Sequence, residues 1–184
     1  HLEEECLRYF LAGEWPRALA VDLDGTVLDS RRRLAEETRR ALQGAKERGV
    51  RVFLATARPP RSARQFVEAL CIDEPVMYYN GALVLRPGTG EVLHHHPMPP
   101  EHVRELIREL RAAGPDVSVS LEVMDRWYTD DERPGFATAT SAMFGPDRVG
   151  PIEGFLDQPI TKLLASWPRG DVTPLARVLA QRFR

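Results

Sequence analysis

Two aspartates, one residue apart, close the first apolar run of this sequence. Residues 18–26 read Ala-Leu-Ala-Val-Asp-Leu-Asp-Gly-Thr. Carboxylates can attack an electrophile, carry a proton, or hold a hard cation. Ala18 to Val21 predict a strand buried on both faces, as in a parallel sheet. The run ends on Asp22, and Gly25 permits a tight turn after it. Alternation along a strand directs Asp22 and Asp24 the same way. In an open α/β sheet the carboxyl ends of the strands line the reaction crevice. The pair therefore suits one carboxylate as nucleophile, one as acid/base, and a cation between them. The competing reading is a surface Asp-Gly turn. That reading leaves an unpaired charge at the end of an apolar run, which is costly.

A strand–helix–strand unit must position the pair. Leu34, Ala41, Leu42 and Ala45 mark one helix face, closed by Gly49 as a C-cap. Val50 to Ala55 is the second buried strand, ending at Thr56-Ala57-Arg58-Pro59. A right-handed parallel crossover places Thr56 beside the end of the first strand. There its hydroxyl and backbone N–H either bind a phosphoryl oxygen or satisfy a helix N-terminus. Arg58 is read as a substrate contact or a structural ion pair. Arg31, Arg32 and Arg33 either meet a phosphate or form a solvated helix entrance. Pro60 opens the next helix, with Phe66, Val67 and Leu70 on its apolar face. A third strand, Pro75 to Tyr79, ends at Asn80-Gly81-Ala82. Leu83 to Leu85, a turn at Arg86–Gly90 and an extended Glu91–Leu93 follow.

Asp22-Leu23-Asp24-Gly25-Thr26, with its apolar strand, resembles the first motif of the haloacid dehalogenase-like (HAD) phosphatases. The resemblance implies that Asp22 attacks phosphorus and becomes an aspartyl-phosphate. It implies that Asp24 protonates the leaving alcohol and then activates water. Mg²⁺ would be held by the Asp22 carboxylate and the Asp24 backbone carbonyl. Thr56-Ala57-Arg58-Pro59 is similar to the second motif of the subclass with an α/β cap (Cof-type, IIB). That motif usually reads Thr-Gly-Arg-Pro, and Ala57 suits it unless the backbone there needs positive φ. Asn80-Gly81-Ala82 resembles the point where that subclass leaves its core sheet. The implied phosphate-side residues are Thr56, Arg58 and Asn80.

The remainder reads as a second α/β unit. Val103, Leu106, Ile107 and Leu110 have helical spacing, ending at Gly114-Pro115. Val117, Val119, Leu121 and Val123 alternate with polar residues, predicting a strand buried on one face, with Trp127-Tyr128 as its hairpin partner. Asp130 to Gly150 reads as a loop with a short helix around Ala137–Phe144. Ile160 to Trp167 is a further strand. Pro174 opens a helix bearing Leu175, Val178, Leu179 and Phe183. This unit fits the cap of the same subclass, which closes over the site and selects substrate. Trp127, Tyr128 and Lys162 are either cap-sheet residues or substrate contacts. His94, His95 and His96 are poor joint metal ligands, because successive strand residues face opposite ways; His96-Pro97 is read as the start of a hinge.

The expected fold is α/β: a HAD-like parallel core sheet over 18–95 after a lead-in at 1–17, with an inserted cap domain at 96–184. The 184 residues are 43% hydrophobic with a net charge of −2. Nothing in that balance attracts nucleic acid, and no apolar run is long enough to span a membrane. Cys6 and Cys71 are isolated, as reduced thiols in the cytoplasm would be. Lysine occurs at Lys46 and Lys162 alone. The family pattern has two further motifs: a lysine after the cap, and a Gly-Asp segment with a later acid. Lys162 falls within a predicted cap strand, and Gly170-Asp171 lacks the acidic follow-up. The resemblance therefore covers about the first two-thirds of a family member, and either further chain or a second copy is expected to cover the sheet edge. The function implied is Mg²⁺-dependent hydrolysis of a small phosphorylated metabolite. The alternative is a catalytically impaired binding module on the same scaffold.

Overall fold

A computed structural model describes residues 15–113, 117–131 and 143–166, together with 173, 176 and 180. Most of the helix opened by Pro174, with its Leu175, Val178, Leu179 and Phe183, lies outside the described residues, as do most of 1–17, Gly114-Pro115, Trp167, the Gly170-Asp171 segment and 137–142 of the short helix. The chain divides into two compact units, His1–Arg58 with Ala63–His94, and Pro59–Ser62 with His95–Arg184.

The first unit is built on a sheet of five strands in chain order: β1 (Ala18–Asp22), β2 (Arg51–Ala55), β3 (Val76–Tyr78), β4 (Leu83–Leu85) and β5 (Val92–His95). β1 pairs parallel with β2, and β2 parallel with β3; β4 turns back antiparallel on β3. Helix α1 (Glu36–Glu47) joins β1 to β2, and helix α2 (Pro60–Ala69) joins β2 to β3. Glu36 and Glu37 in the first turn of α1 and Lys46 in its last complement the helix dipole. Gly49 follows at φ +83, a left-handed exit that glycine adopts without a side-chain clash. Val52 and Leu54 of β2, Leu42 of α1, and Phe66, Val67 and Leu70 on and just after α2 are buried.

β1 departs from expectation. It is a parallel strand, but it is not buried on both faces: Ala18, Ala20 and Asp22 are exposed, and Leu19 and Val21 are half-buried. The reason is its place in the sheet: among the described residues β1 is the end strand, with β2 beside it.

The second unit has a sheet of four strands in the order β8-β7-β6-β9, comprising β6 (Ser118–Val123), β7 (Arg126–Thr129), β8 (Arg148–Val149) and β9 (Lys162–Ser166). Helix α3 (Pro100–Ala113) buries Val103, Ile107 and Leu110 at the predicted spacing. They join Val117, Val119, Leu121, Tyr128, Ile152 and Ile160 in one core. Tyr128 stacks on Phe155 with ring centroids 4.7 Å apart. β7 is the hairpin partner of β6. Two expectations are corrected here. β6 is not buried on one face alone: Ser118 and Ser120 are also buried, because β6 lies between β7 and β9 and its hydroxyls are absorbed internally, as in the Ser120–Thr129 hydrogen bond of 3.1 Å. The segment read as a loop from Asp130 to Gly150 contains a short strand, β8, parallel to β7. Among the described residues, no helix is long and apolar enough to cross a membrane.

Candidate active site

The site is built at the carboxyl ends of β1, β2 and β3. Asp22 is the last residue of β1 and is paired in register with Ala55 of β2. Leu23, which follows, is fully buried, while Asp22 and Asp24 on either side of it are exposed. The apolar side chain thus anchors the turn to the core and leaves both carboxylates outside it. The chain closes on itself as Val27 N–H donates to Asp22 C=O (3.2 Å) and Leu28 N–H to Leu23 C=O (2.8 Å). Gly25 sits at φ +79 between them. Only a residue without Cβ takes that value freely.

Thr56 follows β2 directly and is buried, with its N–H donating to Met77 C=O of β3 (2.9 Å). Its Oγ1 accepts the backbone N–H of Arg58 (3.1 Å). The hydroxyl is therefore fixed by the local turn rather than swinging in solvent. Asn80 N–H donates to Thr56 C=O (3.0 Å), and Tyr79 N–H to Arg58 C=O (3.3 Å). These two bonds stitch the β2–α2 loop to the exit from β3. Tyr79, Asn80 and Gly81 all take positive φ (52°, 57° and 96°). Asparagine and glycine tolerate that region, but a buried tyrosine does so at a cost. Such strain concentrates where a fold holds a particular backbone for use. Ala57 is not among the positive-φ residues, so alanine in place of the resembled motif's glycine introduces no strain.

Arg58 resolves to an ion pair. Its Nε donates to Asp24 Oδ2 (2.8 Å) and its Nη2 to Oδ1 (2.6 Å), a two-pronged clamp. The Arg58 side chain is only 9% exposed against 46% for Asp24, and it also lies over the Phe66 ring at 5.1 Å. The guanidinium is thus packed in place and reaches out to the carboxylate. The hydrogen bond from Arg58 holds Asp24 below its ordinary carboxylate pKa, partial burial opposes this, and the charges of Arg58 and Arg32 add to it. The clamp favours the ionised form of Asp24.

Sequence reasoning missed Asp29. Its Oδ1 accepts the N–H groups of Arg31 (2.8 Å) and Arg33 (2.8 Å), and its Oδ2 takes the Arg33 guanidinium at 2.9 Å. An aspartate that caps the residues after it is a known turn device, and Asp-Ser-Arg-Arg-Arg carried that signal. Asp29 also splits the three arginines, drawing Arg33 into structure.

Among the described residues, no group of three or more His, Cys, Asp or Glu could hold a metal. His94 is exposed, and His95 is half-buried with its Nε2 2.9 Å from Thr161 Oγ1. Near β1 the hard oxygen donors are the carboxylate of Asp22, the clamped carboxylate of Asp24, and the backbone carbonyl of Asp24. That set suits a cation content with few protein oxygens and several waters, as Mg²⁺ is.

The family model of the haloacid dehalogenase-like hydrolases matches residues 19–183. The chain belongs to this family. It is 26% identical over 165 residues to a 5-amino-6-(5-phospho-D-ribitylamino)uracil phosphatase of Bacillus subtilis, covering 90% of this chain and 61% of that protein. Among solved structures it resembles TM0651 from Thermotoga maritima, with a TM-score of 0.72, 26% identity, and coverage of 91% of this chain and 62% of that one. The HAD subclass IIB sugar phosphatase BT4131 matches with a TM-score of 0.66 at 19% identity, covering 82% and 58%. That likeness bears on the fold alone. The chain spans about three-fifths of the length of these relatives. The mixed α/β architecture with a parallel sheet is that of the HAD-fold neighbours.

Proposed function

We propose that the protein containing this chain is a phosphatase that hydrolyses a small phosphorylated metabolite through a phosphoaspartate at Asp22. One observation carries the reading. An exposed carboxylate ends a parallel strand, a second lies two residues on in an arginine clamp, and a fixed threonine hydroxyl follows the neighbouring strand.

In this reading an Asp22 carboxylate oxygen attacks phosphorus, the bond to the ester oxygen breaks, and the departing alkoxide takes a proton from Asp24. Water then attacks the phosphoaspartate and loses its proton to Asp24. The bond from phosphorus to Asp22 breaks, releasing inorganic phosphate and the free carboxylate. Thr56 supplies a fixed hydroxyl toward the phosphoryl oxygens, and Asn80 lines the same end of the sheet. Arg58 favours the ionised form that takes the proton from water. The step that protonates the alcohol needs Asp24 to carry a proton, so substrate arrival must loosen the clamp. Mg²⁺ would be held by the Asp22 carboxylate and the Asp24 backbone carbonyl, with waters completing its shell. When bound, it screens the repulsion between carboxylate and phosphoryl group. The second unit acts as the cap that shapes substrate choice, and the isolated cysteines suit a reducing compartment such as the cytoplasm.

The test is Mg²⁺-dependent release of p-nitrophenol from p-nitrophenyl phosphate by the full-length protein, with Asp22→Asn as control. Turnover that disappears in the variant supports the reading. Turnover that survives the substitution, or a full-length protein inert toward every phosphomonoester offered, contradicts it and leaves a binding module on this fold.

A further inference from the structure

Arginine 32 stands out in the loop that follows the aspartate pair. Leu28 forms bridges to both Asp24 and Leu34, so residues 29–33 make a tight turn tied to the Asp24 backbone. The turn is built in detail. Asp29 N–H donates to Arg33 C=O (3.0 Å), and Arg32 N–H to Asp29 C=O (2.8 Å). The Asp29 carboxylate holds the backbones of Arg31 and Arg33 and the side chain of Arg33. This leaves Arg32 exposed at φ +59. A left-handed turn position is one that glycine or asparagine fills more easily. Arginine there brings a charged side chain at the expense of backbone ease. Its guanidinium is close enough to act on the Asp24 carboxylate, yet no side chain among the described residues bonds to it. Arg33 is occupied by Asp29 and Arg58 by Asp24. The Arg31 guanidinium is also without a carboxylate partner among the described residues, but Arg32 is the one of the two that takes the left-handed turn position and acts on Asp24.

We infer that Arg32 selects substrates carrying a second anionic group, a carboxylate or another phosphate, beyond the phosphoryl group that reacts. The inference rests on the phosphatase reading of Asp22 and Asp24. The Asp29-braced turn, bridged through Leu28 to the backbone of Asp24, holds Arg32 on the side of the acid/base residue, where the part of the substrate leaving with the ester oxygen would lie. A guanidinium meets a carboxylate or phosphate with two parallel hydrogen bonds, so a single residue can discriminate between singly and doubly anionic esters.

The probes are p-nitrophenyl phosphate, glucose 6-phosphate and glucose 1,6-bisphosphate, assayed with the full-length protein and its Arg32→Gly and Arg32→Lys variants. Glycine suits the φ of position 32, so the turn survives, and melting curves confirm it. We expect wild type to favour the bisphosphate over the monophosphate in kcat/KM. We expect Arg32→Gly to lower that ratio about tenfold, through KM, as loss of a charge-assisted contact does. Arg32→Lys should restore part of it, and rising salt should erode the wild-type preference. A ratio that stays within about twofold of wild type in Arg32→Gly, or a wild type with no preference, overturns the inference while leaving the phosphatase reading intact. A protein inert toward all three probes removes the phosphatase reading, and the inference falls with it.

Discussion

Buried polar groups in the second unit and exposed ones in the first obey opposite rules. In the second unit Ser120, Thr129 and Thr161 are buried, and each hydroxyl has an internal partner. Asp130 is paired with Arg111 and also accepts Val119 N–H. These polar atoms serve the sheet. In the first unit Asp22 is exposed at a strand end, Arg32 stands unmatched on a built turn, and three successive residues hold left-handed backbone. The difference separates polar residues that stabilise from polar residues that are held ready. Burial with satisfied hydrogen bonds marks the first kind, and exposure maintained at a conformational cost marks the second.

The largest expected effect is on the exposed side. Asp22→Asn in the full-length protein should lower kcat by on the order of 10⁴-fold or more, as removal of a nucleophile does, while the melting temperature stays near that of wild type. Asp24→Asn should cost about 10²–10⁴ in kcat, the range for a lost acid/base group. Its deficit should be greater for alkyl phosphates than for p-nitrophenyl phosphate, whose leaving group needs little protonation. Leu121→Ala, in the core of the second unit, should destabilise by about 2–5 kcal/mol in denaturant unfolding. Ser120→Ala should change kcat less than twofold, because its hydroxyl serves Thr129. A Ser120 variant as inactive as Asp22→Asn would erase the distinction between the two units.

The smallest effects lie in acid. Glu36 is held down to about 2, first by hydrogen bonds from Arg39 and then Arg40. Asp24 is held below its usual value first by Arg58. Both folded-state values are depressed, so each group's contribution is present above its unfolded pKa and lost as pH falls through the folded one. For Glu36 that window runs from about 4.5 down to about 2. An NMR titration should place the Glu36 midpoint near 2, and Arg39→Ala should raise it. Asp24→Asn should remove a shallow acid limb below about pH 4 from the stability profile, small because the carboxylate is half exposed.

The parallel strands, the helices between them and the apolar face of α3 were legible in the sequence, because period and burial agree there. Asp22, Asp24, Thr56 and Asn80 were legible as strand-end residues, since each directly follows or closes an apolar run. The state of β1 was not: its composition reads as doubly buried, yet sheet order decides exposure, and order is not a property of one segment. The buried serines of β6 looked like an outward face because hydroxyl pairing across strands leaves no mark on local periodicity. Arg58 was undecided until its partner, 34 residues earlier, was known. Tyr79 gave no sign of its left-handed backbone, which the bonds from Tyr79 and Asn80 to the β2–α2 loop accompany.

The central claim is that a covalent phosphoryl group forms at position 22. The full-length protein, mixed with a turnover substrate and quenched within milliseconds, can be reduced with tritiated borohydride, which converts an aspartyl-phosphate to homoserine. Tritiated homoserine at position 22, absent from Asp22→Asn, is the predicted result. A protein that turns over substrate with label at another residue, or with none at any time sampled, would contradict the account.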